Sequence, residues 1–356
     1  MKQILSKAKN VRLFLVLAWR MYHANNTRGY YHWYVKRISK GTISWSIKLN
    51  DGTIPDRIFK KIQWYMVEAV IMGEMLSDLT GASLKKNDRK ILIYLGAIMA
   101  LFDAMVDDFK LDIRRMKQIL DNTFSTTGSK SLFAKTAIEK VFCLYLDRLL
   151  CIIEAEQWSE IAGHLGIIRS QIESVEQLGS TISEENVTRI TLEKGGVSSL
   201  ICSAFVPRKK EDFLEAVFQT GGFIQMMNDC QDLYKDTNAG IKTFIHFCVS
   251  FPDIYNRLNR QRIKTFSLIE SLELPLYARY KTLFDLNAMF IMISYKLHRY
   301  AEACNYSLDF DLIAKMDRNH FRINPFSSQA VYYCTGRIVS FDPENYINVG
   351  AFKFSS

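Results

Sequence analysis

The sequence predicts an all-α protein. Three observations carry that prediction. Apolar residues recur at helical spacing through most of the 356 residues, only 6 prolines and 17 glycines interrupt them, and no alternating stretch is long enough to build a sheet in the body. Hydrophobic residues make up 48% of the chain, ample for one large core. Composition divides the chain into a basic, aromatic-rich segment at 1–54, a helical body at 55–305 and an irregular C-terminal cap at 306–356.

Residues 1–50 hold ten Lys or Arg and no Asp or Glu. The net charge is +9, so the rest of the chain is close to neutral. The segment also contains Trp19, Tyr30, Tyr31, Trp33 and Tyr34, which reads as a folded surface rather than a cleaved transit peptide. Such a surface suits an anionic membrane, an acidic partner or a diphosphate. Nucleic acid is not an expected partner, because no recognised module or zinc pattern accompanies the charge. The apolar runs at 13–19 and 91–102 are too short to span a bilayer. Seven single cysteines, none in a C-x-x-C pair, fit buried thiols in a reducing cytoplasm. The expected location is cytoplasmic, with peripheral membrane contact through the basic segment. The oligomeric state is left open, a homodimer included.

Beyond the head, Pro55-Asp56 starts a helix that runs to about Leu79, before Thr80-Gly81. Asn87-Asp88 caps the next, which turns Ile91, Leu95, Ile98, Phe102 and Met105 inward. Ser125 to Lys130 is polar and reads as a loop. Helices follow at about 131–157 and 159–178. Ser183-Glu184-Glu185 opens another, which runs into Lys194-Gly195-Gly196. Two adjacent glycines in a helical pattern suggest a kink. A charged break at Arg208 to Asp212 precedes a further helix, and Asp236 to Gly240 reads as the loop past its end. Two later helices span about 252–272 and 277–304. Asn324-Pro325, Cys334-Thr-Gly336 and Asp342-Pro343 punctuate the tail.

Two acid-rich stretches stand out. The first is Asp103-Ala-Met-Val-Asp107-Asp108, at the end of a long apolar run. The second runs from Gln225 through Asn228, Asp229 and Asp232 to Asp236. Residues four apart share a helix face, so Asp103 and Asp107 point one way with Asp108 beside them. Asn228, Asp232 and Asp236 form a second row, flanked by Gln225 and Asp229. Burying such acids without a counter-charge costs several kcal/mol each. Carboxylate rows on oily helices suit Mg²⁺ ions that in turn hold a diphosphate. No calcium-loop spacing occurs, and the six His residues show no zinc spacing.

These motifs resemble those of the class I isoprenoid synthases. Asp103-x-x-x-Asp107-Asp108 is similar to the Asp-x-x-x-Asp form of the squalene/phytoene synthase branch and departs from the Asp-Asp-x-x-Asp of chain-elongating enzymes. Gln225-x-x-Asn228-x-x-x-Asp232-x-x-x-Asp236 matches the second motif of that branch, and partly that of terpene cyclases. The resemblance covers roughly residues 55–305. It implies a single-domain helical bundle around a central apolar cavity, with Asp103, Asp107, Asp108, Asn228, Asp229, Asp232 and Asp236 binding three Mg²⁺. It also implies roles toward the diphosphate for Lys194, for Arg189, and for the Arg299-Tyr300 pair on the last long helix. Phe102, Phe218, Phe223 and Met226, with Gln225, would line the substrate site. The substrate implied is a prenyl diphosphate, ionised as metals and cations neutralise its leaving group, with aromatic faces stabilising the carbocation. A terpene synthase is the first reading. The alternatives are a prenyltransferase joining two prenyl diphosphates and an idle isoprenoid-binding relative.

Overall fold

The computed structural model describes residues 2–112, 114–115, 118–119, 134–164, 182–206, 210–322, 324 and 327–342. Among these residues there are thirteen α-helices, two short 3-10 turns and no strand, so the chain is all-α.

The basic head is a pair of helices, α1 (Lys2–Asn25) and α2 (Tyr30–Leu49). The inner stripe of α2 is Tyr31, Val35, Ser39, Thr42 and Ser46, at the three-and-four spacing of a buried helix face. Its serines bond back to their own backbone, Ser39 to the Val35 carbonyl and Ser46 to that of Ile43, both at 2.7 Å. A polar face can then be buried without orphaned groups. Asn10 of α1 donates to the carbonyls of Val339 and Phe341 at 2.9 and 2.8 Å. Arg20 pairs with Asp78 at 2.8 Å, and Lys281 bridges Asp78 and Asp285 at 2.6 and 3.1 Å. The head is therefore packed into the body.

Helix α3 (Asp56–Thr80) starts at Pro55, as expected, and stops at Gly81 with φ 70°. In α4 (Lys86–Asp107) the Asp88 carboxylate accepts from the Lys85 amide at 2.9 Å, so the helix begins just before the expected cap. Every residue of α4 from Ile91 to Val106 except Met99 is buried. A capping box of Thr136 and Glu139 opens α5 (Ala137–Leu150), and α6 (Ala155–His164) follows. The helix expected at 131–157 is thus shorter. The loop expected at 125–130 and residues 165–178 lie outside the described residues.

Ser183 caps α7 (Glu184–Ser203) by accepting from the Asn186 amide at 3.2 Å. Then come α8 (Glu211–Gln231), α9 (Leu233–Ala239), a 3-10 turn at Phe244–Phe247, α10 (Phe251–Ser271) and α11 (Leu276–Ala303). The segment expected as a loop at 236–240 is the second half of α9, which ends at Gly240 with φ 70°. The tail also departs from expectation. It carries α12 (Phe310–Lys315), a 3-10 turn at Arg318–Phe321 and α13 (Ser328–Val339). Side chains of Asp309, Asp317 and Ser327 cap these pieces, so the turn-forming residues start helices instead of replacing them.

Helices α7 and α8 form the most extensive pairing in the molecule, followed by α3 with α4. Helix α3 also packs on α7, and α11 packs on α3, α8 and α10. This arrangement gathers the helices that carry the acids.

Candidate active site

The first acidic group closes α4. Asp103 is 6% exposed and carries three contacts from other helices. Lys61 Nζ lies 2.6 Å away, Lys194 Nζ 3.5 Å away, and the Tyr65 hydroxyl donates at 3.3 Å. Burial alone would raise this carboxyl; Lys194 and Lys61 outweigh it and hold it below the usual carboxylate range. Asp107, one turn on, meets water, but burial and the neighbouring Asp103 charge raise it. Asp108 turns to Arg57 at 3.1 Å and to Lys61 at 3.3 Å.

The second group is built differently from the expected single row. Helix α8 ends at Gln231, Asp232 forms the break at φ −93°, ψ 8°, and α9 carries Asp236. The Asp236 amide still bonds the Asp232 carbonyl at 2.9 Å, so these two acids keep helical spacing across the break. Asn228, expected in the row with Asp232 and Asp236, is exposed, and Asp229, expected to flank that row, is buried. Gln225 Nε2 and Thr191 Oγ1 donate to the two Asp229 oxygens at 3.0 and 3.1 Å. Burial pushes Asp229 up to about 6 despite these bonds. Burial, with the charges of Asp229 and Asp232, pushes Asp236 up to about 7.

Lys194 joins the two groups. Its field reaches Asp103, Asp107 and Asp229, and together they overcome burial and raise its pKa. Lys235, on α9, senses Asp232, Asp236 and also Asp103. The geometry that links the two stretches is on α7, where Lys194 meets Asp103 at 3.5 Å and Thr191, one turn earlier, donates to Asp229 at 3.1 Å. The expected kink at Gly195-Gly196 is absent, since α7 runs unbroken through it. Instead a Cβ on Gly195 would sit 2.2 Å from the Gly221 carbonyl oxygen, and one on Gly221 2.2 Å from that of Gly195. The glycines let two helix backbones touch, and that contact sets Lys194 against the acids.

Sequence reasoning missed the contribution of α3. Arg57, Lys61, Tyr65 and Glu68 follow one another at helical spacing along one face. Glu68 accepts from the Trp64 indole at 2.5 Å. Water reaches it, yet burial, with the Asp232 charge adding to it, pushes it up to about 7. Lys296 on α11 was also missed. It donates to Gln231 at 2.9 Å, and burial lowers its pKa against the pull of Asp232.

The other expected site residues are dispersed. Arg189 pairs with Glu193 at 2.9 Å on the exposed side of α7. The Arg299-Tyr300 pair is split. Tyr300 is buried and its hydroxyl donates to the Gln231 and Phe321 carbonyls at 3.3 and 3.2 Å, within reach of the Asp232 field. Arg299 turns instead to Glu302 and a cavity of about 480 Å³ lined by Tyr295, His320 and Arg322. Phe102, Phe223 and Met226 are enclosed core side chains, and Phe223 packs against the Phe290 ring. Phe218 lies over Gly196.

The site offers a set of oxygen donors that the protein itself only partly neutralises, ringed by lysines. Among the described residues no three Asp, Glu, His or Cys side chains close on one point as a ready metal cage. The donor chemistry nevertheless fits Mg²⁺, which is usually bound by one or two carboxylates, retained waters and substrate phosphates rather than by an all-protein cage. No family model matches the chain, and no curated protein matches it significantly. Among solved structures it is similar to a geranyltransferase from Legionella pneumophila, at 16% identity and a TM-score of 0.39, over 74% of this chain and 99% of the other.

Proposed function

We propose that the chain is a Mg²⁺-dependent class I terpene synthase that ionises a prenyl diphosphate. The observation that carries this reading is on α7, where Lys194 meets Asp103 of the first acidic group at 3.5 Å and Thr191, one turn earlier, bonds Asp229 of the second at 3.1 Å. A diphosphate brings more negative charge to a site already rich in it, so carboxylates alone would repel it. Bound Mg²⁺ would supply the positive charge that holds the anion and stabilises it as it leaves. Asp107, Asp229, Asp232 and Asp236 are the residues that would hold the metal. Lys194 and Lys61, both within 3.5 Å of Asp103, would neutralise the leaving diphosphate as point charges. Room for the prenyl tail comes from displacing packed side chains, with Phe102, Phe223 and Met226 as its expected walls.

One observation favours a second reading, an isoprenoid-binding relative without turnover. Lys61 and Arg57 already pair with Asp103 and Asp108, which leaves the first group less in need of metal. The two readings separate in one experiment. Purified protein is incubated with Mg²⁺ and prenyl diphosphates of graded length, and diphosphate release and hydrocarbon products are measured. One cyclic product from one substrate supports the terpene synthase. Coupled consumption of two substrates selects a chain-joining prenyltransferase instead, and tight binding without release selects the idle relative. Asp107→Ala and Asp232→Ala should each abolish release; full activity in either removes that residue from the site.

A further inference from the structure

The outer face of the N-terminal helix pair has no part in the site above. Along α1, Val11, Leu15, Trp19 and Tyr22 are exposed at spacings of four, four and three, which makes one apolar stripe. Leu15 is 62% exposed, far from the usual state of a large aliphatic side chain on a polar surface. The stripe continues onto α2 through ring contacts, Trp19 to Tyr30 at 6.1 Å and Tyr30 to Trp33 at 6.3 Å. There the outward face alternates apolar and basic groups. Trp33, Trp45 and Ile47 are exposed, Arg37 lies over the Trp33 ring at 5.3 Å, and Lys48 lies over Trp45 at 4.9 Å. Trp33, Lys36, Arg37 and Lys40 also line an open cavity of about 490 Å³.

We propose that this face is a docking surface for an anionic lipid bilayer. Three observations select that occupant. Residues 1–50 contain no carboxylate at all, so charge complementarity points to a dense anionic surface. A second copy of the chain would press the same cations against each other across a two-fold contact. Exposed Trp and Tyr with basic neighbours are the side chains that settle at the level of lipid headgroups. No helix among the described residues is long and apolar enough to cross a membrane, so contact is by adsorption. The stripe of α1 enters the headgroup layer, and the cavity edged by Lys36, Arg37 and Lys40 receives a phosphorylated headgroup.

The test uses the full chain and flotation with phosphatidylcholine vesicles, with and without phosphatidylglycerol. Binding is expected only where phosphatidylglycerol is present, and it should weaken as salt is added. Each Lys/Arg near such a surface is worth about 1 kcal/mol, so the double variant K36E/K40E should lose at least about tenfold in partition. Leu15→Asp should also lose binding through the apolar stripe, with circular dichroism unchanged for both variants. Equal binding to neutral vesicles, or no binding to either kind, overturns the proposal. So does a solution dimer that Leu15→Asp converts to monomer, since the stripe is then a contact between copies.

Discussion

At the residue scale the candidate site depends on Lys194. It touches the first acidic group while its charge acts on the second. Replacing it with Gln removes the charge and keeps a polar side chain one atom shorter. Diphosphate release by Lys194→Gln should fall about 100-fold or more, as for loss of one transition-state donor. Away from the site, His246 offers an independent check on electrostatics. Its Nδ1 accepts from the Thr243 amide at 3.1 Å, which leaves the proton on Nε2, 3.3 Å from Thr237 Oγ1. The ring stacks on Phe310 at 4.7 Å. Burial, helped by Lys242, lowers its pKa to about 4. An unfolded histidine titrates near about 6.5, so between these values the unfolded chain binds the extra proton. The His246 contribution to stability is thus present above about 6.5 and is lost as the pH falls toward 4. The difference between urea melts of wild type and His246→Gln, followed across that range, should show the loss in wild type alone.

At the element scale the decisive contact is between α7 and α8. With Gly195 and Gly221 at 2.2 Å from each other's added Cβ, neither helix can yield without moving its backbone. Gly195→Ala or Gly221→Ala should therefore cost at least about 2 kcal/mol in urea denaturation, in the manner of an overpacked core. Either variant should also impair turnover by displacing Lys194. Much of this scale was legible in the sequence. Helices α3, α10 and α11 begin and end within a residue or so of expectation, because Pro55, Gly81 and the apolar periodicity mark them strongly. The acids of α4 and α8 declared themselves by spacing in an oily context. What stayed hidden depended on partners remote in sequence. Gly195-Gly196 looked like a kink until Gly221 stood opposite. Lys61 and Glu68 sit on a helix whose own pattern gives no sign of what faces it. The tail was misread because its caps occupy the same residue types as turns.

At the scale of the whole molecule the site is a store of unfavourable charge. Asp229, Asp236 and Glu68 are raised to about 6, about 7 and about 7, burial being the largest cause in each. In the folded protein they keep protons that unfolded carboxyls release near about 4. Metal-free protein should consequently lose stability from these groups as the pH climbs from about 4 to about 7. Added Mg²⁺ should raise the melting temperature at pH 8, where the carboxylates are ionised, and much less at pH 5. Calorimetry at the two pH values checks this without any substrate, and equal effects would count against metal binding by these acids.

The bonds from Asn10 to Val339 and Phe341 join positions 329 and 331 residues apart. A growing polypeptide adds about 5–20 residues per second, so the first helix leaves the ribosome on the order of half a minute before the last is made. Through that interval its seat against α13 does not exist. During synthesis the nascent helix around Asn10 thus waits for this partner until nearly all of the intervening residues have been added.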